Sequence, residues 1–219
     1  MLVQEAKWIA NELNTRISEL SPLINVGSST LHFRTVEQPF IDKEIFKPFV
    51  QQGGKVLHLD MKEEQGVDLA GDLMNEEFRD QVKEHEIKGA LCSNLLEHVE
   101  NPQLVCDLLV DIVQTNGYII ITVPHRYPYH NDPIDTMFRP DVKAIEALFP
   151  ACELVNGEIV TIEGSSFAKM LLRNPSLLAV TTLRALMPFY KFQSWKHIVA
   201  YIPKSFKPFQ VTCVTLRKQ

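Results

Sequence analysis

The sequence predicts an α/β fold in which helices cover both faces of a mostly parallel, doubly wound sheet of seven strands. Short apolar runs alternate with amphipathic helices over most of the chain, as is typical of parallel strands joined by crossover helices. The last two runs, Cys152–Ile162 and Gln210–Leu216, indicate an antiparallel pair, and a partly helical insertion at 165–207 separates them. A length of 219 residues suits a single domain spanning 1–219.

The first half of the chain contains clear helix and strand patterns. Residues 1–20 carry apolar side chains at every third or fourth position, which predicts an amphipathic helix ending at Ser21-Pro22. The run Leu23–Val26, stopped by Gly27, predicts the first strand. The same patterns predict a helix at Phe40–Val50, strands at Lys55–Asp60 and Val67–Asp72, and a helix at Leu73–Lys83.

The second half has stronger start and stop signals. The run Ile87–Ser93 predicts the fourth strand, and Asn101-Pro102 provides the N-cap and first residue of the next helix. Asn116-Gly117 ends that helix, and Tyr118–Val123 predicts the fifth strand. Asp141 caps a further helix.

Several features indicate a cytoplasmic protein. Charged residues recur through Met1–Leu20, so this stretch does not resemble a signal peptide, and no apolar run approaches the ~20 residues of a membrane span. Scattered cysteines without a CxxC pair favour reduced core thiols over disulfides or zinc. The cysteines are Cys92, Cys106, Cys152 and Cys213.

Charge is distributed unevenly along the chain. The net charge is −5 at pH 7, yet residues 164–219 contain nine basic residues and no acidic one. This region could pack on the acidic body, or bind an anionic substrate, lipid headgroups or a protein. The insertion at 165–207 also mixes aromatic and basic side chains, so it could form a lid over an acceptor, a homodimer contact or a peripheral membrane patch. We expect no nucleic-acid partner.

Polar or small residues stand at the ends of four predicted strands. They are Gly27, Asp60, Ser93-Asn94 and Pro124-His125. Because right-handed crossovers bring the carboxyl ends of parallel strands to one edge, these residues should converge in space. Small residues after a strand let a ligand approach the backbone, and a carboxylate at Asp60 could accept hydrogen bonds from ribose hydroxyls.

The segment around the fourth strand carries a specific resemblance. It reads LCSNLLEHVENP, followed by a helix, Asn-Gly, and a strand ending in Val-Pro. This arrangement resembles the class I S-adenosylmethionine-dependent methyltransferases, in the branch with an LEHV signature. The resemblance covers roughly residues 21–150 and implies a Rossmann-like fold, S-adenosyl-L-methionine as cofactor, and a small-molecule acceptor.

The resemblance also implies a set of cofactor-binding residues. Gly27 and its neighbours would contact the methionine part, Asp60 the ribose, and Asp72 and Leu73 the adenine, while residues of the fourth strand would line the cofactor. The full set is Asn25, Gly27, Ser28, Asp60, Asp72, Leu73, Ser93, Asn94 and Leu95. Glu97 and His98 belong to the signature, where His98 is expected to hold the loop by hydrogen bonds.

Two positions depart from the family pattern. The family usually has an acidic residue two positions before the first glycine and a second glycine two after it, where this chain has Asn25 and Ser29. Asn25 can accept a hydrogen bond from the cofactor ammonium but lacks the charge that strengthens it. A non-catalytic methyltransferase-fold protein, used for binding or scaffolding, is therefore the alternative.

The loop after the fifth strand supplies the candidate acceptor chemistry. His130 is the favoured general base, because an unperturbed histidine titrates near neutrality, and Asp132 could orient it. His125 is a further catalytic candidate. Residues that could bind the acceptor are Arg126, Tyr129, Asp135 and Arg139. The same residues could instead hydrogen-bond one another in a loop stiffened by prolines, and no cysteine or HExxH context supports a metal.

Taken together, these patterns predict methyl transfer to a small, polar or sugar-like acceptor. A nicotinamide oxidoreductase of the short-chain type would need tyrosine followed four residues later by lysine, and no tyrosine in this chain has that neighbour. The glycine fingerprint of dinucleotide binding is also incomplete.

Overall fold

The computed structural model describes residues 1–130, 134–189 and 191–219, and it contains the predicted seven-stranded sheet. The strand order is β3-β2-β1-β4-β5-β7-β6, and only β7 runs against the others, pairing antiparallel with both β5 and β6. The strands are β1 Leu23–Val26, β2 Val56–Asp60, β3 Leu69–Ala70, β4 Gly89–Ser93, β5 Tyr118–Arg126, β6 Cys152–Ile162 and β7 Phe209–Lys218. The predicted mostly parallel sheet with an antiparallel C-terminal pair is therefore confirmed.

Helices pack on both faces of the sheet. One face holds α1 (Val3–Thr15), two π-helical segments and α3 (Lys47–Gln51), and the other holds α4 (Glu76–Lys83), α5 (Pro102–Ile112) and α6 (Val142–Glu146). Successive residues of β5 show the alternation, because Ile119 joins one core cluster and Ile120 joins the other. Since apolar residues cover both sides, the central strands carry uninterrupted apolar runs.

Local signals explain most helix boundaries. Asn101 accepts a hydrogen bond from Leu104 at the start of α5, and Asp141 accepts one from Ala144 at the start of α6, as predicted. The helix predicted at Leu73–Lys83 begins only at Glu76, because Asn75 is the residue that accepts from the backbone NH of Phe78.

The segment between β1 and β2 is less regular than predicted. The helix expected over Phe40–Val50 is π-helical at Ile41–Phe46 before α3, and a second π-helical segment covers Phe33–Glu37. The N-terminal helix likewise breaks at Arg16, so a short helix α2 (Ile17–Leu20) follows α1.

The fifth strand is longer than predicted. The prediction ended it at Val123, but β5 continues to Arg126 because β7 pairs with it across this stretch. Pro124, which has no NH to donate, lies where the register shifts. His125 and Arg126 therefore belong to the strand rather than to the acceptor loop.

Three helices form most of the insertion: α7 (Phe167–Arg173), α8 (Pro175–Ala185) and α9 (Phe192–Tyr201). Ring contacts join this region to the loop after β5, since Tyr129 stacks on His197 with centroids 5.4 Å apart. Over the described residues, no helix is long and apolar enough to cross a membrane.

Candidate active site

A cavity of about 490 Å³ opens at the carboxyl edge of the sheet. Residues at the ends of three neighbouring strands line it: Gly27 after β1, Ser93 and Asn94 after β4, and Pro124 in β5. The predicted convergence is therefore observed for these strand ends. Asp60, at the end of β2, is not among the residues that line the cavity.

The turn after β1 has a glycine-like backbone at two positions. Gly27 has φ +70°, and Ser29 has φ +54° although it has a side chain. A Cβ at Gly27 would lie 3.4 Å from the side chain of Leu95, so the turn packs closely on the β4 loop. Ser29, where the family pattern has a second glycine, thus keeps the left-handed conformation that a glycine would provide.

Asn25 lies under this turn and lines the cavity. Its amide nitrogen is 3.2 Å from Nδ1 of His58, so the carbonyl oxygen is the group that could accept from a ligand. Burial, together with the nearby Arg34 guanidinium, lowers the pKa of His58 to about 4. A neutral His58 can accept the amide hydrogen and hold Asn25 in this orientation.

The carboxylate of Asp60 is engaged by backbone groups. Its Oδ2 accepts from the NH of Ser29 at 2.8 Å, and its Oδ1 accepts from the NH of Lys62 at 3.3 Å. Each oxygen retains a further lone pair for a ribose hydroxyl. The turn after β1 therefore folds against the end of β2, and Asp60 faces that turn before any ligand binds.

Arg34 secures the same turn. Its buried guanidinium donates to the carbonyls of Ser28 at 2.8 Å, Ser29 at 2.6 Å and Gly66 at 2.6 Å. Burial lowers the pKa of this side chain, and nearby aspartates oppose that shift. The two residues predicted to flank the adenine do not line the cavity. Oδ1 of Asp72 accepts from the NH of Met74, and Leu73 is buried in the core.

A carboxylate from the N-terminal helix contacts Asn94, which lines the cavity. Glu5 is fully buried, and its Oε1 accepts from Nδ2 of Asn94 and from Oγ of Thr122, both at 2.6 Å. Its Oε2 accepts from the NH of Leu2 at 2.9 Å. Asn94 has a left-handed backbone conformation, with φ +50°. Its hydrogen bond to Glu5 holds this conformation and the direction of its side-chain amide, which lines the cavity.

A second carboxylate, Glu97, lines the cavity, and neither of its oxygens has a hydrogen-bond partner among the described residues. Glu97 is 1% exposed, and burial raises its pKa to about 7. The nearest ion-pair contact found for it, from Nε2 of His98, is 3.8 Å away. Glu97 can thus gain or lose a proton near neutrality.

The turn that carries Glu97 is tied to the loop after β5. Nδ1 of His98 contacts the carbonyl of Ile134, as expected for a histidine that holds the loop. Thr136 donates to the carbonyl of Glu97 through its NH at 2.9 Å and its hydroxyl at 3.1 Å.

His130 also lines the cavity. Its Nδ1 lies 3.1 Å from Oδ2 of Asp135, and its backbone NH donates to the same oxygen at 3.0 Å. This contact raises the pKa of His130, against the effect of burial. Asp135 is buried, but hydrogen bonds from His130 and Arg139 hold its pKa below the ordinary value. Arg139 donates to the same oxygen at 2.7 Å.

The remaining predicted acceptor residues point elsewhere. Nδ1 of His125 is 3.0 Å from the carbonyl of Pro140, and Arg126 donates to the carbonyl of Pro208 at 2.7 Å. Tyr129 stacks on the insertion, and neither it nor Arg139 lines the cavity. The orienting role predicted for Asp132 lies outside the described residues; within them, Asp135 is the carboxylate beside His130.

The sequence analysis did not place three residues in or against the site: Arg34 and Glu97, which line the cavity, and Glu5, which accepts a hydrogen bond from the cavity-lining Asn94. Glu5 and Glu12 are seven residues apart on the apolar face of the first helix, a spacing that could have identified them as buried. Arg34 follows no comparable pattern, because it lies on the irregular π-helical segment.

Comparisons with known proteins support the fold. No protein-family model matches the sequence, and no curated protein matches it. Among solved structures, it is similar to coclaurine N-methyltransferase bound to N-methylheliamine and S-adenosylhomocysteine, with 12% identity and a TM-score of 0.51 over 96% of this chain and 70% of that one. Loganic acid methyltransferase with S-adenosylhomocysteine is similar at 10% identity and a TM-score of 0.51, over 99% and 93% of the two chains. The chain thus has the Rossmann-like fold of class I S-adenosylmethionine-dependent methyltransferases.

Proposed function

We propose that this protein transfers a methyl group from S-adenosyl-L-methionine to a small, polar or sugar-like acceptor. The observation that carries the proposal is the cavity at the carboxyl edge of this fold, where Gly27 and Asn94 approach each other from β1 and β4. The two similar structures contain the demethylated product of this cofactor, which supports the choice of methyl donor. Membership of the branch marked by LEHV stays a prediction.

The residues at this end of the cavity fit the methionine part of the cofactor. The Gly27 turn permits close backbone approach, and Asn25 and Asn94 offer amide groups in the cavity. When bound, S-adenosylmethionine would supply an electrophilic methyl group on sulfur. Beyond the cavity lining, at the end of β2, the carboxylate of Asp60 has lone pairs for ribose hydroxyls, and residues 28–34 must yield space for the adenosine.

Two side chains could remove the acceptor proton. His130 lines the cavity with Asp135 behind it, and Glu97 lines it with free carboxylate oxygens. A positioned base contributes about 10²–10⁴-fold to rate, and alignment in a near-attack geometry contributes about 7–11 kcal/mol. We assign the base to His130, with Asp135 orienting it; Glu97 is argued separately below.

Isothermal titration with S-adenosylmethionine and S-adenosylhomocysteine tests the proposal. We expect one site per chain, and weaker binding in Asn94→Ala, because this residue lines the cavity. No heat of binding at millimolar ligand would contradict the proposal.

A second candidate function is a non-catalytic binding protein built on the same fold. The observation that favours it is the Ser29–Asp60 hydrogen bond together with the Arg34 contacts, which occupy the edge where ribose would bind. This function predicts a purified protein that binds neither the methyl donor nor its product. Cofactor that copurifies with the protein would contradict it.

A further inference from the structure

Three metal-ligating side chains meet on one wall of the cavity. Glu97 and His98 lie on the turn after β4, and His130 lies on the loop after β5. One ligand atom from each lies within 4.8 Å of the others. The rings of His98 and His130 are perpendicular, with centroids 5.1 Å apart.

Both histidines have an outer partner on one ring nitrogen. Nδ1 of His98 contacts the Ile134 carbonyl, and Nδ1 of His130 contacts Asp135, which itself accepts from Arg139 and the NH of Met137. Metal-binding histidines are held in this way, because the partner on one nitrogen orients the other toward the ion. The Nε2 atoms are thereby left for a ligand, and Nε2 of His98 already faces Glu97.

Glu97 provides an independent observation. Its carboxylate is buried on the cavity wall, and within the part of the chain that the structure describes neither oxygen has a hydrogen-bond partner. A buried carboxylate in this state is costly unless it is paired, binds a metal or takes up a proton. Thr136 donates to the backbone carbonyl of Glu97, so the Glu97 carboxylate remains available.

We propose that Glu97, His98 and His130 bind a divalent first-row transition-metal ion. Two imidazoles and one carboxylate suit zinc, iron, cobalt, nickel or manganese better than calcium or magnesium, which prefer oxygen ligands. Metal bonds of about 2.0–2.2 Å place neighbouring ligand atoms roughly 3–3.5 Å apart. The ligand atoms therefore need to move together by about an ångström from their present separation, as side-chain rotation allows.

The site would deepen the proposed function, and this part of the inference rests on it. With three protein ligands, the ion keeps open positions toward the cavity, where an acceptor hydroxyl could bind. A bound divalent ion lowers the pKa of a coordinated hydroxyl by several units, which would ease proton removal before methyl transfer. With the ion bound, His130 would be a ligand in place of the base assigned above, and the acceptor proton would pass to solvent.

The experiment is a metal titration of the chelator-treated full chain, with no methyl donor present. We expect Zn²⁺, Co²⁺ or Mn²⁺ to bind at one equivalent, and Co²⁺ to show visible absorption bands of a nitrogen–oxygen site. Glu97→Gln and His98→Asn should each weaken binding at least 100-fold, and Asp135→Asn should weaken it by about 10–100-fold through its partner histidine.

The matched control is His32→Asn, since that histidine is exposed and lies outside the cavity. It should bind metal like the parent chain. Equal affinity in Glu97→Gln and the parent, or no binding at millimolar metal, would overturn the proposal. Because the titration needs no methyl donor, failure of the proposed methyl transfer would leave this result unaffected.

A second observation, on the insertion, carries a separate proposal. Helix α8 contains no buried side chain, and large apolar side chains across the insertion are exposed. Among them, Leu172 is 75%, Leu186 is 73%, Phe189 is 82% and Phe206 is 86% exposed. Large exposed apolar side chains gathered in one segment, rather than scattered singly over the surface, usually mark an interaction site.

The charge of the insertion indicates what it would contact. Residues 165–207 carry seven basic residues and no acidic one. We infer that the insertion binds the surface of an anionic lipid bilayer. Apolar and aromatic side chains would enter the headgroup boundary, and the lysines and arginines would be attracted to the anionic headgroups.

Sedimentation of the full chain with vesicles tests this inference. We expect binding to vesicles containing phosphatidylglycerol, little binding to phosphatidylcholine alone, and release at high salt. Replacing Leu186 and Phe189 with serine should reduce binding at least 10-fold. Met61→Ser, at an exposed apolar residue outside the insertion, is the control and should not change it. Binding that does not depend on lipid charge would overturn the inference. A dimer detected by light scattering would also overturn it, if the dimer buries this face of the insertion.

Discussion

The carboxylate of Glu5 allows a sharp test of how the site is built. In Glu5→Ala, Nδ2 of Asn94 and the hydroxyl of Thr122 each lose a charged acceptor at 2.6 Å. Hydrogen bonds to charged groups contribute about 1.5–3 kcal/mol each. Removal of a buried charge offsets part of this loss, so we expect the free energy of unfolding to fall by about 2–5 kcal/mol.

A second buried glutamate on the same helix provides the matched control. Glu12 accepts from Thr215 at 2.6 Å and Asn156 at 2.9 Å, and it pairs with Arg16, away from the cavity. Glu12→Ala should therefore lose a similar free energy of unfolding. Only Glu5→Ala should also weaken S-adenosylhomocysteine binding, because only Glu5 orients a residue that lines the cavity.

The assay is urea denaturation of both variants, followed by titration calorimetry below the unfolding transition. A double-mutant cycle with Thr122→Val would isolate the energy of the Glu5–Thr122 bond. The reasoning would be refuted if Glu5→Ala lost less than 1 kcal/mol, or if both variants bound S-adenosylhomocysteine equally well.

His58, which contacts Asn25, and the turn after β1 provide three further tests. Because burial lowers the pKa of His58 to about 4, the unfolded chain binds more protons than the folded chain between about pH 4 and 6.5. The free energy of unfolding should thus fall by about 2–3 kcal/mol as the pH drops through this window. In urea titrations, His58→Gln should remove this part of the pH dependence. Plots of unfolding free energy against pH that run parallel for the variant and the parent chain would contradict the prediction. Gly27→Ala should cost about 1–2 kcal/mol, since its φ is +70°, and an unchanged denaturation midpoint would count against this. Ser29→Gly should leave the free energy of unfolding unchanged or raise it by up to about 1 kcal/mol, because glycine adopts the left-handed backbone of this position without strain. A clear loss of stability would show instead that the serine side chain stabilises the turn.

Much of the sheet could be predicted because its signals are local. The apolar runs of β1 and β4, the Asn101 cap and the Asn116-Gly117 turn each act over a few residues. Strand β1 and the Asn101 cap lie where predicted, whereas β4 begins at Gly89 rather than Ile87 and α5 ends at Ile112, before the Asn116-Gly117 turn. The end of β5 could not be located in this way. Its extension to Arg126 depends on pairing with β7, which is some 90 residues away along the chain.

The site was predictable where the backbone determines it. Gly27 and Asn94 follow strands whose carboxyl ends must meet, and both line the cavity. Side-chain roles depend on neighbours brought together by folding, and there the sequence reasoning was weaker. Nothing in the local sequence indicates that Arg34 will bind the Ser28 and Ser29 carbonyls, or that Glu97 will be buried without a partner.

The measurement that tests the central claim most directly is a crystal structure of the chain soaked with S-adenosylhomocysteine. We predict that its homocysteine portion lies between the Gly27 turn and Asn94, with its sulfur facing the wall that carries Glu97 and His130. A ligand bound elsewhere, or a cavity without ligand at millimolar S-adenosylhomocysteine, would contradict a methyltransferase function for this cavity.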